Sequence, residues 1–311
     1  MRAAVLHGPG DLRVEEVAEP AGEVVVAVGA ATACGTDRKM LRDGHRVLGP
    51  YPARFGHETA GVRLDTGERV LVSDSVACGA CAPCRAGRGA ICRAPTWVLG
   101  GFAERIAAPA AALHALPDGL ELAAAATAEP LAACVHAVAR AGRLPSAAAV
   151  LGGGTIGLML ARLLVLEGVE ATVVDRHRER RAQARALGAR AASELPPREL
   201  VLEAVGRPEA WRAAIAAATP GATVMLVGGC PPGADAVLPA GPLHYDELDV
   251  RGAFHHTRAD VERALALLGS GAIDASVILG DVIGLDGLAA ALLAPAKGPA
   301  RKPVVDPSLT G

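Results

Sequence analysis

The chain has 311 residues, a formal net charge of −2 from 31 basic and 33 acidic side chains, and few aromatics: two Trp, two Tyr and three Phe. That length allows two domains with their own cores, and charges of both signs spread along the chain leave no basic field for nucleic acid or an anionic membrane, so a small-molecule partner is expected. The first residues lack the order of a signal peptide, and the most apolar stretch, Ile156 to Leu166, is too short to cross a bilayer and contains Arg162, so a cytoplasmic location is expected.

Up to about residue 115 the chain carries short β-type runs, such as Glu23–Val28 and Glu68–Val72, broken by Gly, Pro and Asp, which predicts an irregular, mainly β domain. Within it lie Cys34-Gly35-Thr36-Asp37, then Gly56-His57-Glu58, then CGACAPCRAGRGAIC, which sets Cys78, Cys81, Cys84 and Cys92 within fifteen residues. That spacing can close a tetrahedral metal site. The remaining thiols, Cys34, Cys134 and Cys230, stand alone, and in a reducing compartment clustered cysteines read as ligands rather than disulfides. An iron–sulfur reading fits poorly, because the last gap is long for ferredoxin spacing.

From about Leu120 alanine-rich helical stretches alternate with apolar strands at Ala147–Leu151, Ala171–Val174, Leu200–Ala204, Ala222–Val227 and Leu248–Phe254, the pattern of a parallel sheet wrapped by helices. The first strand runs into Gly152-Gly153-Gly154-Thr155-Ile156-Gly157 and an apolar helix. Gly152 permits the tight turn, Gly154 a close approach of backbone to a pyrophosphate, and Gly157 close helix packing, with unpaired N–H groups at the helix start for the anion. Asp175, ending the next strand, stands where an acid binds the adenosine ribose. A carboxylate there repels the extra phosphate of NADP and favours NAD, whereas Arg176, Arg180 and Arg181 are groups that would pair with that phosphate. The chain closes with helix-like segments Ala259–Leu268 and Leu285–Leu293 and a strand at Pro303–Val305.

Cys34, His57, Glu58 and Glu129 offer a thiolate, an imidazole and one or two carboxylates, a set suited to zinc with a position left for water or substrate. Pro130 places Glu129 in the first turn of a helix. Taken singly, Cys34 reads as a small buried residue, His57 as a structural histidine and Glu129 as a capping acid.

Together CGTD at 34–37, GHE at 56–58, the cysteines at 78–92, AEPLA at 128–132, GGGTIG at 152–157 and Asp175 resemble, in the same order, the zinc-dependent medium-chain dehydrogenase/reductase family, nearest its sorbitol and threonine dehydrogenase branch. The resemblance implies an α/β protein: a GroES-like, mainly β catalytic domain over 1–118 with a metal lobe at 76–94, a Rossmann doubly wound domain over 119–256, and a return to the catalytic domain over 257–311, with the active site in the cleft between them. It implies two zinc ions, a structural one on Cys78, Cys81, Cys84 and Cys92 and a catalytic one on Cys34 and His57 with Glu58 and Glu129, each acid binding directly or through water. Thr36 falls at a proton-relay hydroxyl and Asp37 at a carboxylate that orients the zinc-bound histidine. Lys39 stands where some members complete the relay with histidine, and the spans Arg63–Glu68 and Ala94–Gly101 are shorter than usual. Thr155 and Ile156 are expected at the cofactor with the three glycines, Gly228 and Ala253 near the nicotinamide, and Lys302 at a cofactor phosphate. Trp97 and Phe102 are candidates for the pocket wall, although isolated aromatics are more often core. The resemblance also implies a homo-oligomer, a dimer or a tetramer.

The expected reaction is oxidation of a secondary alcohol in a polyol, cyclitol or hydroxy-amino compound, with hydride passed to nicotinamide. The alternatives are a simple alcohol dehydrogenase of the same family and a non-catalytic protein that binds zinc and nucleotide.

Overall fold

A computed structural model describes residues 1–231, 233–295 and 297–309. The chain divides into two compact units. The first comprises Met1–Pro130, Thr257–Pro295 and the chain from Arg301 onward; the second comprises Leu131–His256 with a short later segment ending at Ala300.

The first unit is organised by the strand Val24–Thr32, whose VVVAVGAAT sequence alternates buried and half-buried positions before its last turn goes fully inside. Among the described residues it belongs to a seven-stranded sheet, pairing antiparallel with Thr59–Arg63, Arg105–Ala108 and Lys302–Val305. Its inward side chains Val26 and Val28 join Phe55, Val72, Ile106 and Val305 in one core, and burying each such side chain stabilises the fold by about 1.5–3 kcal/mol. Met40 and Leu41 of the helix Gly35–Asp43 share that core with Leu285, Leu288 and Leu292. The late segment therefore belongs to the first unit by burial. Its long helix, Arg258–Gly269, starts at a capping box in which Thr257 accepts from the Asp260 N–H and Asp260 accepts from the Thr257 N–H. The expected helix at Leu285–Leu293 opens instead as a 3₁₀ turn, Leu285–Gly287, and becomes α-helical over Leu288–Leu293.

The second unit contains a parallel sheet of six strands among the described residues: Ala147–Leu151, Glu170–Val174, Arg190–Ala192, Arg198–Glu203, Ala218–Leu226 and Asp249–Gly252. Numbered in chain order, they lie 3-2-1-4-5-6, the doubly wound arrangement in which strand order reverses between strands 1 and 4. Strand 1, AAAVL, reads as a continuous apolar run, and strands 2 and 4 carry the shorter runs Val173–Val174 and Leu200–Leu202, because helices cover both faces of such a sheet. Register aligns Leu151 with Val174 and Glu203, and Leu226 with Glu203 and Gly252. The carboxyl ends of strands 1, 2, 4, 5 and 6 thus form one level rim. Among the described residues no helix is long and apolar enough to cross a membrane.

Candidate metal centres and cofactor site

In the first unit a two-stranded ribbon, Ser75–Val76 with Thr96–Trp97, closes the base of the cysteine lobe. Cys81 caps the short helix Ala82–Arg85 and a 3₁₀ turn, Gly89–Ile91, returns the chain to Cys92. The four sulfurs gather within 4.8 Å of one another, with Cys81 Sγ 3.4 Å from Cys84 Sγ and 3.9 Å from Cys92 Sγ. A tetrahedron with metal–sulfur bonds of about 2.3 Å has edges of about 3.8 Å, so the quartet fits one zinc ion. Backbone N–H groups already face the sulfurs: Cys78 donates to Cys92 at 3.2 Å, Cys81 to Cys78 at 3.4 Å and Arg93 to Cys81 at 3.5 Å. Donors from Arg93 and Cys84 lower the Cys81 thiol to about 6, whereas burial and the neighbouring sulfurs push Cys84 up to about 12.

The second cluster is assembled from distant segments. Cys34 is the N-cap of the helix Gly35–Asp43, its sulfur accepting the Thr36 N–H at 3.2 Å while Asp37 accepts the Cys34 N–H at 2.9 Å. This capping box fixes thiol and carboxylate together. His57 enters from the next segment with Nε2 3.4 Å from Cys34 Sγ and Nδ1 3.1 Å from Asp37 Oδ1, a charge contact not aligned as a hydrogen bond. Burial opposes charge on His57, but Asp37 and Cys34 outweigh it and raise its pKa well above the usual histidine range. Burial and Asp37 push the Cys34 thiol up. A cation beside both would reverse that thiol's preference, since a coordinating thiol loses its proton.

His57, Glu58 and Glu129 bring ligand atoms within 4.8 Å of one another. Glu129 stands in the first turn of the helix Ala128–Ala141, next to Pro130. Glu58 is buried, and its Oε2 and Oε1 lie 2.7 Å and 2.9 Å from Lys302 Nζ. The Thr32 hydroxyl donates to Glu58 Oε2. Lys302, 3% exposed on the strand Lys302–Val305, does not meet the expectation that it reaches a cofactor phosphate. It neutralises a buried carboxylate: burial lowers the Lys302 pKa, Glu58 raises it, and Glu58 prevails. Thr36 is half-buried on the first helical turn, and Lys39 is half-buried one turn on. Phe102 is 1% exposed and packs edge-on against Phe55 at 4.9 Å, so it is core rather than pocket wall. Trp97 sits in the ribbon opposite Ser75. The roles of Thr32 and Lys302 left no local signal in sequence. Nor did His45, whose Nδ1 accepts the Val47 N–H at 3.4 Å and whose pKa falls through burial, Arg46, His57 and Lys39.

In the second unit strand 1 passes through Gly152 and Gly153 to Gly154, the N-cap of the helix Thr155–Leu166, which Thr155 and Ile156 begin. A Cβ on Gly157 would lie 1.7 Å from the Gly152 carbonyl oxygen, so helix and turn pack at a distance only glycine allows. Asp175 follows strand 2, accepting the Gly153 N–H and the His177 N–H, each at 2.8 Å, with Arg180 Nη1 3.5 Å away. Arg181 turns back to donate to the Asp175 and Arg176 carbonyls, while Arg176 is exposed and donates to His177. Gly228 follows strand 5, and Ala253, past strand 6, donates to the Leu226 carbonyl at 3.1 Å. The glycine turn, Asp175, Gly228 and Ala253 thus share the rim on which such sheets bind dinucleotides.

A family model for the alcohol dehydrogenase GroES-like domain matches residues 20–118, and one for zinc-binding dehydrogenase matches 197–270. A FAD binding domain model matches 146–193, the span of strands 1 and 2 with the glycine turn, a unit that flavin and nicotinamide dinucleotide sites share. The chain is 32% identical to a D-altritol 5-dehydrogenase of Agrobacterium fabrum over 80% of its own length and 81% of that protein. It is 27% identical to a sorbitol dehydrogenase of Bacillus subtilis, over 92% and 91%. A Sinorhizobium meliloti structure described as a zinc-binding dehydrogenase bound to NADP superposes with a TM-score of 0.90 at 29% identity, covering 98% of this chain and 99% of that one. The fold and its donor sets define a zinc-type dehydrogenase with a GroES-like and a Rossmann part. The chain belongs to the zinc-dependent medium-chain dehydrogenase family, on its polyol side.

Proposed function

We propose that this protein is a zinc-dependent oxidoreductase that oxidises a secondary alcohol of a polyol, cyclitol or hydroxy-amino compound with NAD, which it prefers to NADP. The observation that carries the reading is that His57 is shared by two clusters, one with Cys34 and Asp37 and one with Glu58 and Glu129, which together offer more carboxylate than a structural site needs. The first unit acts as the catalytic domain and the second as the cofactor domain. When bound, zinc supplies a Lewis acid that lowers the pKa of the alcohol, and nicotinamide supplies the hydride acceptor.

The side chains prepare that step. Cys34 and His57 hold the metal, and the Asp37 charge beside Nδ1 keeps Nε2 the ligating nitrogen. Glu58 has both oxygens engaged by Lys302 and one by Thr32 as well, which favours Glu129 as the carboxylate that reaches the metal. The Thr36 hydroxyl takes the substrate proton outward. Cys78, Cys81, Cys84 and Cys92 hold a second, structural zinc. Asp175 favours NAD at the adenosine ribose, and a carboxylate-rich site with few aromatics suits a hydroxyl-rich substrate. A reducing cytoplasm would keep the thiols as ligands, and a homodimer or homotetramer, read by light scattering, completes the proposal.

The test is metal analysis with a substrate panel of polyols, cyclitols, threonine and simple alcohols, each with NAD and NADP. About two zinc ions per chain and turnover of polyols with NAD are expected. A preference for simple primary alcohols would overturn the substrate class. About one zinc per chain with NADH binding and no turnover would mark a binding protein.

A further inference from the structure

Glu203 closes strand 4 of the second unit at 0% exposure. Buried carboxylates are costly unless hydrogen-bonded or paired, and no cation pairs with this one among the described residues. Its Oε1 accepts the Val205 N–H at 2.6 Å and the Gly206 N–H at 2.8 Å, which folds the turn after strand 4 back on the side chain. Its main-chain carbonyl accepts from Val227 and Gly228, both at 2.9 Å. Oε2 is buried without a hydrogen bond and faces Gly228, where a Cβ would stand 2.9 Å from it and 2.2 Å from the Gly206 nitrogen. The Trp211 indole N–H closes the knot by donating to the Gly228 carbonyl at 3.1 Å.

The knot lies at the reversal of strand order. Ala204 donates to the Leu151 carbonyl at 2.9 Å, and a Cβ on Gly152 would meet Val205 at 2.8 Å. In a doubly wound sheet the dinucleotide crosses the crevice at this reversal, one nucleotide half on each side. Asp175 marks the strand 1–3 side as the adenosine half, which leaves the carboxyl ends of strands 4 to 6 for the nicotinamide half.

We propose that Glu203 is a positioning residue for the nicotinamide half of the cofactor. Its carboxylate locks the 204–206 turn against Gly228 and shapes that half, on the side of the strand-order reversal away from Asp175. The proposal rests on the reading that the second unit binds a nicotinamide dinucleotide. Burial also holds this carboxyl above the usual carboxylate range, against the backbone N–H groups that favour its charge.

The test compares NADH, followed by fluorescence, with ADP-ribose, which has no nicotinamide, on the full-length protein. Glu203→Leu removes both acceptor bonds and is expected to weaken NADH about tenfold while ADP-ribose stays within about twofold. Glu203→Gln keeps an acceptor at the same reach and should restore NADH to within about threefold of wild type. Should Glu203→Leu not fold, Trp211→Phe decides: removing the indole N–H that donates to Gly228 should weaken NADH about threefold at unchanged ADP-ribose affinity. Parallel loss of both ligands would show a merely structural role, and unchanged NADH affinity would show none; either overturns the proposal. Wild-type protein that binds ADP-ribose but neither NADH nor NADPH would instead overturn the cofactor reading beneath it.

Discussion

The first unit holds two thiol-bearing regions built on opposite plans. The lobe draws four sulfurs from Cys78 to Cys92, is partly open to solvent at Cys78, and meets its sulfurs with N–H groups of its own loop. The inner cluster draws sulfur, nitrogen and carboxylate from residues 34, 37, 57, 58 and 129, and its polar members Asp37, His57 and Glu58 are at most 9% exposed. Four thiolates satisfy a metal completely, whereas a mixed set in a buried place leaves it reactive. The difference supports the proposed division between a clamp in the lobe and a reactive centre in the inner cluster.

Two single substitutions should separate the plans most widely. Cys34→Ser is expected to abolish turnover while the protein stays folded and keeps the lobe's zinc, read by metal analysis and circular dichroism. Cys81→Ser should lower the melting temperature and release the lobe's zinc before it lowers turnover per folded molecule. A well-folded but inactive Cys81 variant, or an active Cys34 variant, would break the contrast.

A sharper probe is the ion pair that only the inner cluster contains. Lys302→Met leaves the buried Glu58 carboxylate without its cation, and removing one partner of such a pair costs about 3–5 kcal/mol. Thermal unfolding should show that loss, and the double variant Lys302→Met with Glu58→Gln should recover most of it, because no unpaired charge is left. If the double variant is no more stable than the single one, Lys302 contributes packing rather than charge.

That pair also shows what the sequence made legible. The cysteine quartet and the glycine turn are readable because chemistry and spacing lie within one short segment, and the strands at Ala147–Leu151 and Ala171–Val174 because short, largely apolar runs mark a sheet covered on both faces. The convergence of Cys34 with His57 became readable only through resemblance, because the sheet that joins them pairs strands far apart in the chain. The burial of Lys302 is illegible in sequence for the same reason: its partner is 244 positions away, and a lone lysine carries no mark of burial. The burial of Phe102 is not legible in sequence, because aromatic character does not say which face is covered. The strand Leu279–Ile283 went unpredicted since its positions are half-buried or exposed, and Arg190–Ala192 since it is a three-residue edge. Gly287 ends the 3₁₀ turn that opens the expected helix at Leu285–Leu293.

The smallest of these effects concerns Asp37, which belongs to the inner plan but does not belong to the proposed ligand set. It accepts the Cys34 N–H through Oδ2 and sets Oδ1 beside His57 Nδ1, so one carboxylate aligns two proposed ligands. Burial opposes its charge, yet His57 and the Cys34 N–H hold its pKa below the usual carboxylate range. Asp37→Asn keeps the shape and an acceptor for the Cys34 N–H but removes the charge beside His57. The expected cost is about 10–100-fold in metal affinity or turnover, with the helix Gly35–Asp43 intact and the lobe's zinc unchanged. Competition with a chelator, followed by metal analysis of each fraction, reads this directly: the inner metal should leave at lower chelator concentration than in wild type while the lobe's metal leaves at the same one. Equal shifts at both sites would mean that the substitution loosens the whole unit, and that the division between clamp and reactive centre does not extend to Asp37.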